Sequence, residues 1–131
     1  MKHRTILHLI LLAAITLTLA QACSKSGNSS TSSSTSRSDF ASESRLDVDK
    51  LEVTSVMSAH HLKIRKMSLT AGQLTFRLLT PAGDVQWEQA FTAPADFKET
   101  RNLDTIPGTW TLEIKTENAT GYYDIQWQAS N

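Results

Sequence analysis

The only cysteine of the 131-residue chain is Cys23. A cysteine thiolate is a nucleophile and a metal ligand, and it can accept a lipid group. One cysteine cannot form a disulfide within the chain, although small exported domains usually carry several cysteines. The position of Cys23 in the sequence must therefore explain its presence.

Two adjacent histidines, His60 and His61, carry the imidazole groups that zinc binds. Neighbouring residues of a strand point to opposite faces, so this pair is poorly placed to bind one ion together. No cysteine follows Cys23 to complete a zinc site. We therefore expect a solvated turn between two strands here, and no metal.

Carboxylates form two further candidate sites. Asp47, Asp49 and Glu52 could bind calcium through oxygen, but they lack the glycine and the spacing of a known calcium loop, so we expect a solvated domain edge. Glu99 and Asp104 could act as an acid–base pair only if the fold brings them together. The chain has no nucleophile elbow, zinc-protease helix motif or phosphate-binding glycine loop. We expect no catalytic residue and no cofactor.

The N-terminus has the pattern of an export signal. Lys2 and Arg4 precede an uncharged, mostly apolar stretch over residues 5–20, which ends in small residues. This stretch is shorter than the roughly 20 apolar residues that span a bilayer, so an uncleaved membrane anchor is the less favoured alternative.

The sequence Leu19-Ala20-Gln21-Ala22-Cys23 follows directly and resembles the lipobox of bacterial lipoproteins. The resemblance implies a thioether between Cys23 and diacylglycerol, cleavage between Ala22 and Cys23, and acylation of the new amino group by a fatty acid such as palmitate. Ala20 and Gln21 depart from the commonest form, in which Leu precedes Ala or Ser. The alternative is an ordinary Ala-x-Ala export site that leaves Cys23 as a free thiol.

The lipobox resemblance also implies a location. A lipid anchor would hold the protein at a membrane on the extracytoplasmic side without any transmembrane helix. Ser24, rather than Asp, follows the cysteine, which implies the outer membrane if the host has two membranes. Removal of residues 1–22 would take away Lys2 and Arg4 and no acidic residue, giving a formal charge of −2.

Composition divides the chain into three parts. We expect residues 1–22 to form a signal peptide and, as the lipobox resemblance implies, residues 23–45 to form a lipidated cysteine followed by a serine-rich linker. The linker has one large apolar side chain, Phe40, and we expect it to be disordered, with a reach of about 25 Å. Residues 46–131 form the folded domain.

Apolar and polar residues alternate through the domain with the period of two that indicates half-buried strands. Turn sequences separate these runs, among them Ala71-Gly72, Pro81–Asp84, Pro107-Gly108 and Asn118–Gly121. The pattern predicts an all-β fold, a single small antiparallel β-sandwich or partly open barrel. The predicted strands contain the apolar positions Leu51 and Val53; Leu62, Ile64, Met67 and Leu69; Leu74, Phe76 and Leu78; Val85, Trp87 and Phe91; Phe97 and Leu103; Trp110, Leu112 and Ile114; Tyr123, Ile125 and Trp127.

Three tryptophans invite a carbohydrate-binding interpretation. Trp87, Trp110 and Trp127 share the parity of aliphatic neighbours, however, so we expect them in the core and leave Tyr122 as the better exposed aromatic. The segments Pro81-Ala82-Gly83, Pro107-Gly108-Thr109-Trp110 and Gly121-Tyr122-Tyr123 are similar to those of exported immunoglobulin-like and jelly-roll modules. This resemblance implies a fold and no activity.

Charge and motif content favour a binding protein over an enzyme. The chain has no net charge, and its single basic cluster, Lys63, Arg65 and Lys66, is typical of a solvated strand face, so we expect no nucleic-acid partner. We expect a membrane-anchored, non-enzymatic interaction module whose partner is an unknown envelope protein or glycan. The alternatives are a glycan- or small-ligand-binding accessory module and an inhibitor of a wall hydrolase; the sequence assigns no ligand-binding residue.

Overall fold

The computed structural model describes residues 29–131, which form five strands. These are β1 (Ser30–Val53), β2 (Ala59–Leu79), β3 (Val85–Thr92), β4 (Ala95–Asn102) and β5 (Gly108–Ser130). Over the same residues, no helix has the length and apolar character needed to cross a membrane.

All strand pairs are antiparallel, and they form one sheet. Strand β5 lies between β1 and β2 and pairs with both along almost its whole length. The other edge of β2 pairs with β4 through residues 61–69 and with β3 through residues 73–79. Strands β3 and β4 therefore form one side of the sheet in succession, opposite to β1.

The sheet bends along a line that crosses β1, β2 and β5 and passes between β3 and β4. Residues with positive φ lie on this line: Asp39 and Ser42 in β1, Gly72 in β2 and Asn118 in β5. The pairing registers shift at the same places, as expected where extra residues bend a strand. Between β3 and β4 the main-chain N–H of Ala93 donates to the Gly72 carbonyl at 3.0 Å.

The bend brings two layers of the sheet face to face. One layer consists of residues 30–37, 59–69, 95–102 and 121–130; the other consists of residues 45–53, 73–79, 85–92 and 108–117. Aromatic contacts cross between the layers, with ring centres 4.8 Å apart for His60 and Trp110 and for Phe91 and Phe97. The predicted all-β sandwich is thus confirmed, and the sheet does not close into a barrel.

The core consists of large side chains that the alternation of the sequence assigned to it. Its largest fully buried members are Trp110, Trp127, Tyr123, Phe76, Leu62, Ile64, Met67, Leu69, Leu74, Leu78, Leu112 and Ile114. The apolar phase changes between Ile64 and Met67 because the register of β2 against β5 shifts between Ile64 and Lys66.

The structure differs from the expected linker, because β1 begins at Ser30 rather than near residue 46. Residues 30–37 pair with β5 from Ser130 to Tyr123, and Phe40 is buried beside the ring of Tyr123. Main-chain hydrogen bonds to a neighbouring strand need no apolar side chain. A prediction of disorder from the serine-rich composition therefore fails for these residues.

Two of the predicted turns are not turns between strands in the structure. Ala71-Gly72 and Asn118–Gly121 lie inside β2 and β5, where they bend the strands without ending them. The Pro81–Asp84 segment is a turn as predicted; the Thr80 N–H donates to the Asp84 carbonyl at 2.8 Å, and Gly83 has a φ of 89°.

Both ends of β1, β2 and β5 lie opposite to the bend, at what we call the open end of the sandwich; β3 begins and β4 ends at the same end. Ser29 and Asn131 meet there, and the Asn131 N–H donates to the Ser29 carbonyl at 3.1 Å. The β1–β2 turn and the β4–β5 loop cross the same end and expose Val56 and Ile106. The described chain therefore begins and ends at the open end.

Candidate functional site

The three tryptophans lie in the core and cannot form a sugar-binding platform. Trp110 and Trp127 are fully buried, and Trp87 is 8% exposed. The Trp110 indole N–H donates to the Ile106 carbonyl at 2.8 Å. The Arg101 guanidinium covers the ring of Trp87 at 4.7 Å from its centre. The prediction from parity is confirmed.

The prediction of a solvated turn is wrong for His60, which is buried near the start of β2. Nδ1 lies 2.7 Å from the Asp104 carbonyl, and Nε2 lies 2.8 Å from Nε1 of Trp127. An indole N–H can only donate, so Nε2 must be the acceptor and Nδ1 must carry the proton. Burial is the main cause that lowers the pKa of His60, although the Asp104 carbonyl opposes the shift.

His60 and His61 do not bind one metal ion together. His60 points into the core, whereas His61 is half-buried on the other face of β2, as the alternation of a strand requires. Within residues 29–131, no group of three or more His, Cys, Asp or Glu side chains could hold a metal ion.

The carboxylates considered from the sequence as a calcium site, and interpreted as a solvated domain edge, are each bound by a different protein group. Asp47 receives the Tyr123 hydroxyl at 2.8 Å and lies 2.6 Å from Nε of Arg45. Burial and this hydrogen bond raise the pKa of Tyr123. The Ser33 hydroxyl donates to Asp49 at 2.6 Å.

The third member of this set, Glu52, and the acid–base candidate Glu99 are also bound by protein groups. The Thr109 hydroxyl donates to Glu52 at 2.6 Å. Glu99 pairs with Arg101 at 3.0 Å, and Asp104 engages His60 through its main-chain carbonyl, not through its carboxylate.

A cationic and aromatic cavity of about 580 Å³ lies on the outer surface, which we call the basic groove. Its cations are Arg65, Lys66 and Lys98, and Tyr122 also lines it. The Lys66 ammonium lies 5.2 Å from the centre of the Tyr122 ring, and contact with the tyrosine raises the pKa of Lys66. Met67, Phe97 and Asp96 complete the lining.

Strand geometry explains how these side chains reach one surface. Consecutive residues of a regular strand point to opposite faces, but the register shift after Ile64 leaves both Arg65 and Lys66 exposed. Met67 pairs with Phe97, so the next residue of β4, Lys98, lies close to the β2 cations.

A second cavity, of about 380 Å³, shares Tyr122 with the basic groove. It lies at the bend and is lined by Asp39, Thr70 and Thr120 among others. The Thr70 hydroxyl donates to the Thr120 carbonyl at 3.2 Å. We call this cavity the threonine cavity; the Tyr122 side chain lies between it and the basic groove.

Sequence reasoning identified part of this surface. It singled out Lys63, Arg65 and Lys66 as a solvated strand face and Tyr122 as an exposed aromatic, but it did not place them together. Lys98 was missed because only the pairing of β2 with β4 brings it to the groove. Ala22 and Cys23, predicted as the cleavage and lipidation positions, lie outside the described residues.

Comparison with known proteins gives few matches. Neither a protein-family model nor a curated protein matches the sequence. Among solved structures, the chain is similar to a pilus protein of Bacillus endospore appendages, with 8% identity over 82% of this chain and 92% of that one, and a TM-score of 0.45.

Two further solved structures are similar over the same share of this chain, 82%. Latent PorU from Porphyromonas gingivalis has 8% identity and a TM-score of 0.43, and the match spans 14% of that chain. The coat protein of Tobacco streak virus has 10% identity and a TM-score of 0.38 over 90% of that chain.

Proposed function

We propose that the chain is the precursor of a bacterial lipoprotein whose β domain is a non-enzymatic binding module of the cell envelope. The observation that carries the proposal is the position of the lipobox. Cys23 lies seven residues before Ser30, the first residue of β1. An acyl anchor at Cys23 would therefore join the sandwich at its open end and leave the bend, with the basic groove beside it, on the side away from the attachment.

The experiment is the expression of the full-length precursor and of Cys23→Ser in a bacterial host. We expect the wild-type protein in the membrane fraction, with an N-terminal peptide that starts at an acylated Cys23. We expect Cys23→Ser to carry no lipid and to be absent from the acylated protein of the membrane fraction. Recovery of a mature chain with a free Cys23 thiol would instead support an ordinary export site and overturn the anchor.

A second candidate function, binding of a glycan or small ligand, is favoured by the basic groove. Two cavities of about 580 and 380 Å³ on either side of one tyrosine fall within the range of known ligand sites, about 300–1,000 Å³. This function is compatible with the first, since a tethered module can bind an envelope glycan.

A further inference from the structure

Positive charge collects in the basic groove of a domain that is acidic as a whole. All 13 acidic residues lie in residues 29–131, together with only ten of the 13 Lys and Arg residues. Within these residues Lys66 and Lys98 form no ion pair, whereas Arg65 lies 3.6 Å from Asp124. Both lysines are exposed and can bind an external anion; Lys66 also contacts Tyr122, and among the described residues Asp96 is the one carboxylate in the groove against the cations Arg65, Lys66 and Lys98.

The threonine cavity on the other side of Tyr122 has a different character. The Thr70 hydroxyl donates to the Thr120 carbonyl and can still accept, and the Thr120 hydroxyl accepts from the Ser42 N–H and can still donate. These groups suit a hydroxyl-rich, uncharged group, and Asp39 disfavours an anion there. A ligand that extends across both cavities would therefore be charged at one end and neutral at the other.

We propose that the basic groove and the threonine cavity together bind an anionic oligosaccharide, with a carboxylate- or phosphate-bearing sugar ring beside Lys66 and Lys98 and an uncharged ring beyond Tyr122. The tyrosine ring between the two cavities offers an apolar face to the C–H groups of a sugar. The lysines form charge-assisted hydrogen bonds with the anion, which are the stronger contacts of the site. This proposal gives a ligand class to the binding module proposed above.

The chain offers a matched control for the charges. Lys50 and Lys63 are also exposed and also form no ion pair within residues 29–131, but they do not line either cavity. Lys66→Gln/Lys98→Gln and Lys50→Gln/Lys63→Gln therefore change the net charge of the protein equally. Only the first pair removes cations from the groove.

The test is calorimetric titration of the mature protein, purified from membranes in detergent micelles. The probe is a hyaluronan tetrasaccharide, in which carboxylated and neutral rings alternate. The neutral comparison is the tetramer of N-acetylglucosamine, glucose 6-phosphate tests a phosphate as the anion, and tetraglutamate tests an acidic peptide.

We expect the hyaluronan tetrasaccharide to bind at least about tenfold more tightly than the neutral tetramer, because charged hydrogen bonds dominate. Lys66→Gln/Lys98→Gln should bind the hyaluronan tetrasaccharide at least about tenfold more weakly than the wild type does. Tyr122→Leu should weaken the binding of both tetrasaccharides. The Lys50→Gln/Lys63→Gln control should bind as the wild type does. Tighter binding of glucose 6-phosphate than of free glucose would extend the same site to phosphate.

Absence of binding by both anionic sugars would overturn the proposal, as would equal losses in the two double variants. Equal or tighter binding of tetraglutamate would assign the groove to a peptide instead. Mass spectrometry of the Cys23 peptide in the same preparation separates this result from the anchor. An acylated Cys23 without sugar binding refutes only the ligand class, and sugar binding with a free thiol refutes only the anchor.

Discussion

His60 is held in its neutral form by a donor on one side and an acceptor on the other. A second proton on Nε2 would break the hydrogen bond from Trp127, and burial opposes the charge. The folded-state pKa lies below the ordinary value of 6.5, so an unfolded chain binds this proton more readily than the folded one. The stabilisation from neutral His60 is thus complete above pH 6.5 and is lost as the pH falls below it.

We therefore expect the free energy of unfolding to decrease between pH 7.5 and pH 5.5, measured by urea denaturation. His60→Phe should remove this part of the pH dependence and should also destabilise the protein at pH 7.5 by about 1–3 kcal/mol, because the indole N–H of Trp127 loses its partner. His61→Gln is the control and should keep the wild-type dependence. An unchanged slope in His60→Phe would contradict the assignment.

The hydrogen bond between the Tyr123 hydroxyl and Asp47 can be tested by removing one oxygen atom. Its hydroxyl donates to Asp47, which Arg45 also binds, so Tyr123→Phe removes one hydrogen bond to a charged group. We expect a loss of about 1–3 kcal/mol in the free energy of unfolding. Tyr122→Phe removes the same atom from a half-buried tyrosine on the outer face and should change stability far less; equal effects would contradict the role of the contact.

At the scale of the element, the bend depends on a glycine in β2. Gly72 has a φ of 77°, and an added Cβ would collide with the main-chain carbonyl of Asn118. Gly83 in the β2–β3 turn has a similar φ of 89° but open space around it. Gly83→Ala therefore isolates the cost of the dihedral, about 1–2 kcal/mol.

Gly72→Ala should cost this amount and about 1–3 kcal/mol more for the collision. Thermal or urea denaturation of the two variants measures the difference. Equal losses would show that the β5 backbone moves away without cost and would remove the close approach as a requirement of the bend.

The elements also show which structural features could be predicted from sequence. Period-two alternation placed the core residues of β2 and β5 correctly, because one face of each strand is buried. It could not detect residues 30–37, where no apolar residue marks a face and order comes from main-chain pairing with β5. The bends at Gly72 and Asn118 contain the same residue types as turns between strands. Only the pairing of β2 with β5 distinguishes a bend from a turn.

The candidate site was predictable only in part for a related reason. Arg65 and Lys66 were recognisable as exposed residues of their strand and Tyr122 as an outward-facing residue of its own, whereas the groove arises from the register between strands. His60 was misplaced because a histidine pair between strands is usually solvated, and its partners, Trp127 and Asp104, are 67 and 44 residues away in sequence.

At the scale of the whole molecule, the early start of β1 changes how the domain would stand on a membrane. A disordered linker to residue 45 would let both ends of the sandwich approach the bilayer equally. With β1 starting at Ser30, only residues 24–29 separate Cys23 from the sheet, and six residues extend at most about 20 Å. The sandwich extends about 30 Å from the open end to the bend, judged from residues 59–69 of β2.

This geometry predicts an orientation for the anchored protein. Val56 at the open end and Ala41 at the bend are both exposed. Val56→Cys and Ala41→Cys each add one thiol, and the proposed lipid would block the thiol of Cys23. After labelling and reconstitution into vesicles, energy transfer to an acceptor on lipid headgroups should be stronger from residue 56 than from residue 41. Equal transfer would indicate that the N-terminal part of β1 detaches and acts as a flexible linker on the membrane, so that the basic groove would have no fixed direction.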